Sequence, residues 1–110
     1  MAYDEELAER IRELVSSEAA LSEKKMFGGL AFLVGGNMAL AASGQGGLLV
    51  RVDPAASESL VQESAAEVAV MRGRPMAGWL RLAAADVASA AELRVWVDRG
   101  TAFARSLPPR

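Results

Sequence analysis

The side chains that most often carry enzyme chemistry are missing from this sequence. It has no histidine and no cysteine among its 110 residues, which removes the commonest general base, metal ligand and thiol nucleophile. Its paired carboxylates, such as Glu5-Glu6 and Glu9/Glu13, are predicted to lie on a helix surface, where solvated charge is the rule. No loop carries the cluster of oxygen ligands that a hard metal ion needs. We therefore predict a protein that is not an enzyme and has no catalytic, cofactor-binding or metal-binding residues.

Basic side chains form the one pattern that suggests a binding surface. Residues 24–52 and 69–85 each carry three positive charges and no acid, whereas residues 1–23 and 53–68 are acidic. The candidate interaction patch consists of Lys24, Lys25, Arg51, Arg72, Arg74 and Arg81. Such a patch suits an acidic protein, an anion or a nucleic acid, although ordinary solubilising charge is the alternative. A pI of about 5.1 disfavours strong non-specific DNA binding, which depends on phosphate neutralisation.

Length and composition predict one domain spanning residues 1–110, because chains of this size form a single core. The lack of cysteine excludes a disulfide scaffold. The start of the chain is acidic and has no apolar run, so no signal peptide is expected. No apolar run approaches the roughly 20 residues that span a bilayer. We expect a cytoplasmic protein that does not enter a membrane.

The elements that must position the basic residues are predicted from apolar periodicity and turn signals. Apolar runs closed by glycine predict strands. Helix starts are predicted at Asp53-Pro54 and at Ser89-Ala90-Ala91-Glu92. A bulge or a close backbone approach is predicted at Gly28-Gly29. The predicted elements are a helix over 4–16, strands over 26–34, 38–42 and 48–52, a helix over 53–64, strands over 67–71 and 76–82, and a helix from 89 to about 107.

This order, α-β-β-β-α-β-β-α, predicts an α+β fold with an antiparallel five-stranded sheet. Hairpin-linked strands interrupted by helices are typical of a two-layer α/β sandwich with the helices on one side. Trp96 falls in the apolar stripe of the last helix, and Trp79 lies in the last strand. Tryptophans in such positions are expected to be core or interface anchors rather than base-stacking platforms.

Several motifs, in this order, resemble the N-terminal domain of the TfoX/Sxy family. They are Lys25-Met26-Phe27-Gly28-Gly29, Gly36-Asn37-Met38, Leu49-Val50-Arg51-Val52, Gly73-Arg74-Pro75-Met76-Ala77-Gly78-Trp79-Leu80 and Leu93-Arg94-Val95-Trp96-Val97. The resemblance implies a two-layer fold of the secretion-chaperone-like type. Founding members of the family regulate natural competence beside the cAMP receptor protein and carry a second, C-terminal helical domain, which has no counterpart among these residues.

The resemblance and the missing catalytic groups together favour a non-enzymatic regulatory or adaptor domain that acts through protein contacts, as a transcription or competence co-regulator. Two alternatives stay open. One is a nucleic-acid-binding module that uses the basic strands, and the other, less favoured, is an enzyme of unknown chemistry.

Self-association is the last expectation. Helices on one side leave the other face of the sheet uncovered, and large apolar patches usually mark an interface. The residues predicted for this interface are Phe27, Leu33, Leu49 and Trp79. We expect a homodimer through this face, with Arg51 and Arg81 at its rim. The alternative is that sheet twist closes the face within one chain.

Overall fold

The structure, a computed structural model, describes residues 3–26 and 28–109, apart from the side chain of Met71. Within these residues the helices are α1 (Glu5–Leu14), α2 (Pro54–Glu63) and α3 (Ala90–Ser106), with a 3-10 turn at Ala84–Val87. The strands are β1 (Leu21–Met26), β2 (Gly29–Val34), β3 (Asn37–Ala42), β4 (Leu48–Arg51), β5 (Glu67–Met71) and β6 (Arg74–Leu82). All neighbouring strands are antiparallel, in the order β1-β2-β3-β4-β6-β5. The predicted α+β class and antiparallel sheet are confirmed.

The prediction of five strands is wrong, because the single strand predicted over 26–34 is instead the end of β1 and the whole of β2, which pair as a hairpin. Met26 pairs with Gly29, and Gly28 has a φ of +77°, a backbone conformation that favours glycine. The element order is therefore α-β-β-β-β-α-β-β-α. Sequence periodicity missed β1 because four of its six residues, Ser22 to Lys25, are polar and exposed, as is common for an edge strand.

The glycines at this hairpin also hold two loops in close contact. A Cβ on Gly29 would collide with the carbonyl oxygen of Ala42, and a Cβ on Gly44 would lie 2.6 Å from the carbonyl oxygen of Gly28. The predicted close backbone approach is thus confirmed, whereas the predicted bulge is replaced by a turn. The hairpin tip of β1 and β2 lies against the loop between β3 and β4.

The main core lies between one face of the sheet and the helices. Successive side chains of a strand point to opposite faces, and the paired residues Phe32, Leu40, Val50 and Leu80 form one buried row beneath the helices. From α3, Trp96 is 1% exposed and fills the centre of this core. The prediction that Trp96 is a core anchor is confirmed.

Local caps start all three α-helices where the sequence indicates. The side chains of Asp4, Asp53 and Ser89 accept hydrogen bonds from the backbone N–H groups of Leu7, Ala55 and Glu92, at 3.1, 2.9 and 3.1 Å. Such caps satisfy N–H groups that have no partner within the helix. Residues that are close in sequence therefore determine where each helix begins.

The open face of the sheet as a candidate functional site

The second face of the sheet, here called the open face, carries an apolar cluster of its own. Its buried members are Ala31, Met38 and Ala41, and its half-buried members are Met26, Leu33, Leu49 and Trp79. Among the described residues, no helix contributes to this cluster. The alanines are buried because small side chains are shaded by longer neighbours on adjacent strands, which leaves the longer side chains partly in solvent.

Strand register places charges at both ends of this apolar cluster. Directly paired residues share a face of the sheet, so the observed pairs define one row across all six strands. From the β1 edge to the β5 edge the row is Lys24, Ala31, Ala41, Leu49, Arg81 and Glu67. The open face therefore has a cation at one edge, small side chains near the centre, and an arginine followed by a carboxylate at the other edge.

A cation and two aromatic rings meet at the end of β4. The guanidinium carbon of Arg51 lies 5.2 Å from the ring centroid of Trp79 and 5.5 Å from that of Phe103. Both distances suit a cation–π contact, which contributes about 0.5–1 kcal/mol at an exposed site. The contact joins the sheet to α3 and orients the Trp79 ring at the edge of the apolar cluster. Sequence reasoning missed Phe103, which it assigned only to the apolar stripe of the last helix.

A groove lies between the β3–β4 loop and β5. It has a volume of about 330 Å³ and is lined by Ser43, Gln45, Leu49, Ala69, Val70, Arg72 and Arg81. The guanidinium of Arg81 donates a hydrogen bond to the Gln45 side-chain oxygen at 2.8 Å. Arg72 occupies the hairpin turn before β6 with a φ of +54°. Two of the predicted basic residues thus share one cavity.

The six residues of the predicted basic patch do not form one continuous surface. Lys24 lies on the open face, but Lys25 pairs with Leu30 and belongs to the opposite face. Arg81 lies four strands from Lys24, which is about 19 Å at the usual strand spacing. Arg74 is exposed at the start of β6. The structure therefore groups Arg72 with Arg81, and separates both from the lysines.

Three of the four residues predicted for an interface lie together on the open face. Leu33, Leu49 and Trp79 belong to its apolar cluster, while Phe27 lies outside the described residues. Alternation along the single strand predicted over 26–34 would place Met26 on the opposite face, because that prediction lacks the turn. Recognising Gly28 as a turn would have corrected that assignment.

The pair of charged side chains whose pKa values are shifted lies away from the open face. The side chain of Arg12 donates two hydrogen bonds to Glu23, at 2.7 and 2.9 Å, and so joins α1 to β1. These bonds, reinforced by charge attraction, lower the pKa of Glu23 and raise that of Arg12. Glu23 pairs with Phe32 on the helix-covered face, so the pair is structural and does not belong to the open face.

The described residues contain neither a grouped set of metal ligands nor a helix that could cross a membrane. Over 3–26 and 28–109, no three histidine, cysteine or carboxylate side chains are grouped so as to hold a metal ion. In the same ranges, every helix is too short or too polar to cross a membrane.

The family model described as the TfoX N-terminal domain matches residues 13–104, which run from the end of α1 almost to the end of α3. Neither the curated proteins nor the solved structures used for comparison provide a significant match.

Proposed function

We propose that this chain, which belongs to the TfoX N-terminal domain family, is a non-enzymatic regulatory or adaptor domain that acts through protein contacts. The observation that carries this proposal is the apolar cluster of the open face, to which no helix among the described residues contributes. The resemblance of this chain to competence regulators supports a role beside a transcription regulator.

The side chains of the open face are of the kinds that dominate protein interfaces. Trp79, Arg51 and Met26 belong to residue types enriched at interface centres. Trp79, Leu33 and Leu49 are only half-buried, so a partner can remove further apolar surface from water, at about 25 cal/mol per Å². The half-buried side chains can therefore contribute to binding a partner, whereas the small alanines are already buried in the free chain.

The polar groups around the open face favour binding over catalysis. The polar residues that line the groove beside it are Arg72, Arg81, Gln45 and Ser43. A guanidinium group has five N–H donors and no acceptor, so it suits anion binding rather than proton abstraction. The groove therefore suits recognition of a partner's carboxylates or other anionic groups.

A charged substitution on the open face tests the proposal. The Trp79→Glu and Val95→Glu variants are compared with the unaltered chain in capture experiments from extracts of the native cell. Val95 is the matched control, because it is a 42% exposed apolar residue on α3. We expect one specific partner to be retained by the unaltered chain and by Val95→Glu but lost by Trp79→Glu, since an unpaired charge buried in an interface costs several kcal/mol. Equal retention by both folded variants would contradict the assignment to the open face.

The nucleic-acid alternative is tested with the same proteins. Phosphate contacts are strongest at low ionic strength, so single-stranded and duplex DNA are offered at about 50 mM salt. We expect no binding, because Lys24 and Lys25 lie on opposite faces and far from the arginines. Binding that weakens steeply as salt rises would replace protein contacts by nucleic acid as the function.

A further inference from the structure

We propose that the open face binds a second copy of this chain around a two-fold axis that runs parallel to the strands. This inference rests on the proposed function, because it takes the open face as the contact surface and specifies one of its partners. It predicts which residues meet across the interface, and it therefore goes further than the expectation of a homodimer.

Charge distinguishes a two-fold axis parallel to the strands from one perpendicular to them, when both lie in the plane of the interface. An axis perpendicular to the strands would place β1 over the partner's β1, so that Lys24 would face Lys24 and Glu67 would face Glu67. An axis parallel to the strands places β1 over the partner's β5, so that each Lys24 faces a Glu67. Like charges suppress a pairing and opposite charges favour it, so the second axis is selected.

The sizes of the side chains that would face each other also favour the axis parallel to the strands. In a row of six strands the centre lies between Ala41 and Leu49, and a two-fold axis there places Leu49 of each copy over Ala41 of the other. A hollow of about 30 Å³, lined in part by Ala31, Ala41 and Leu49, lies beside this point. Side chains of packed sheets interdigitate in this way. The larger residue of one copy is therefore set against the smaller residue of the other.

The size of the face predicts a weak dimer. Five strand spacings and strands of five or six residues give a face of about 24 by 18 Å. Two such faces correspond to roughly 900 Å² of projected area, at the low end for specific complexes. We therefore expect association to depend strongly on concentration, with dimer at about 300 µM and mostly monomer at about 3 µM.

Charge reversal at the two edges tests this arrangement. Sedimentation velocity over that concentration range is applied to the unaltered chain, Lys24→Glu, Glu67→Lys and the double variant. Lys24 and Glu67 are both exposed, so the fold is expected to be retained, and circular dichroism verifies it. Lys25→Glu is the matched control, because it makes the same charge change one residue away on the opposite face.

Each single reversal is expected to weaken the dimer by about tenfold, because symmetry changes two edge pairs at once. The double reversal should restore the dissociation constant to within about threefold of the original, and Lys25→Glu should leave it unchanged. A chain that stays monomeric at about 300 µM, single reversals without effect, or a double reversal that restores nothing would each overturn the inference. None of these results decides whether the Trp79→Glu variant still captures a different partner protein. The proposed function is therefore tested independently of the dimer.

Discussion

Replacing Gly100 by alanine tests how closely α3 is held against the sheet. A Cβ at this position would lie 2.6 Å from the carbonyl oxygen of Ala39 and 3.2 Å from side-chain atoms of Leu40 and Val50. The Ala39 carbonyl belongs to the backbone of β3, at an irregularity opposite Phe32 and Leu33. It has no rotamer through which to move aside, so the helix or the strand must shift.

The expected magnitude is a difference between two opposing effects. Alanine is favoured over glycine inside a helix by about 1 kcal/mol. Forcing an extra methyl group into a packed core typically costs about 1–3 kcal/mol, and a contact to rigid backbone belongs near the upper end. We expect Gly100→Ala to lower the free energy of unfolding by about 1–2 kcal/mol, which lowers Tm by about 4–8 °C in a chain of this size.

Urea and thermal unfolding provide the assay, and Ala102→Gly provides the control. Ala102 is exposed on the same helix, so its replacement measures the helix-propensity effect of about 1 kcal/mol without any contact to the sheet. A displaced α3 should also alter the fluorescence of Trp79, because Phe103, one turn from Gly100, shares the Arg51 contact with that ring. If Gly100→Ala stabilised the protein by about the amount that Ala102→Gly destabilises it, the close approach of α3 would be refuted.

Two further predictions concern local interactions. The Arg12 guanidinium lowers the pKa of Glu23 below its ordinary value of 4.5, so this pair stabilises the fold above that pH and the contribution is lost as pH falls through the lowered pKa. Glu23→Gln should therefore make the loss of stability between about pH 5 and pH 3 shallower in urea unfolding; an unchanged slope would exclude the pair as a contributor. The hydroxyl of Ser57 is buried on α2 without a hydrogen-bond partner among the described residues. Ser57→Ala should raise the free energy of unfolding by about 0.5–1.5 kcal/mol, and a decrease would show that the hydroxyl is satisfied in solution.

Sequence patterns predicted the features that depend on neighbouring residues. The caps at Asp53 and Ser89 were predicted, because each makes its hydrogen bond within three residues. The bounds of β5 were also predicted from its own alternation. By contrast, Leu14 has the helical spacing of the buried residues Leu7 and Ile11, yet it is 37% exposed. Periodicity gives the direction of a side chain and not whether another element covers it there.

The open face could be predicted only in part, because its composition depends on pairings between distant segments. The sequence indicated Leu33, Leu49 and Trp79, whose alternation is local. It did not place Lys24 and Glu67 at opposite ends of one row, because that relation passes through five strand pairings. The meeting of Arg51 with Phe103 likewise depends on where α3 crosses the sheet.

The difference in side-chain size between the two faces explains why the helices cover one face and leave the other open. The covered row contains Phe32, Leu40 and Leu80, whose large apolar surfaces need a second layer. The open row contains Ala31 and Ala41 on one side of its centre, and neighbouring strands bury these alanines without a second layer. Isolated large apolar faces promote aggregation, whereas this face combines small residues with charged edges. It can therefore remain uncovered in the free chain, and the half-buried side chains around the alanines supply enough apolar surface for a weak contact with a matched partner.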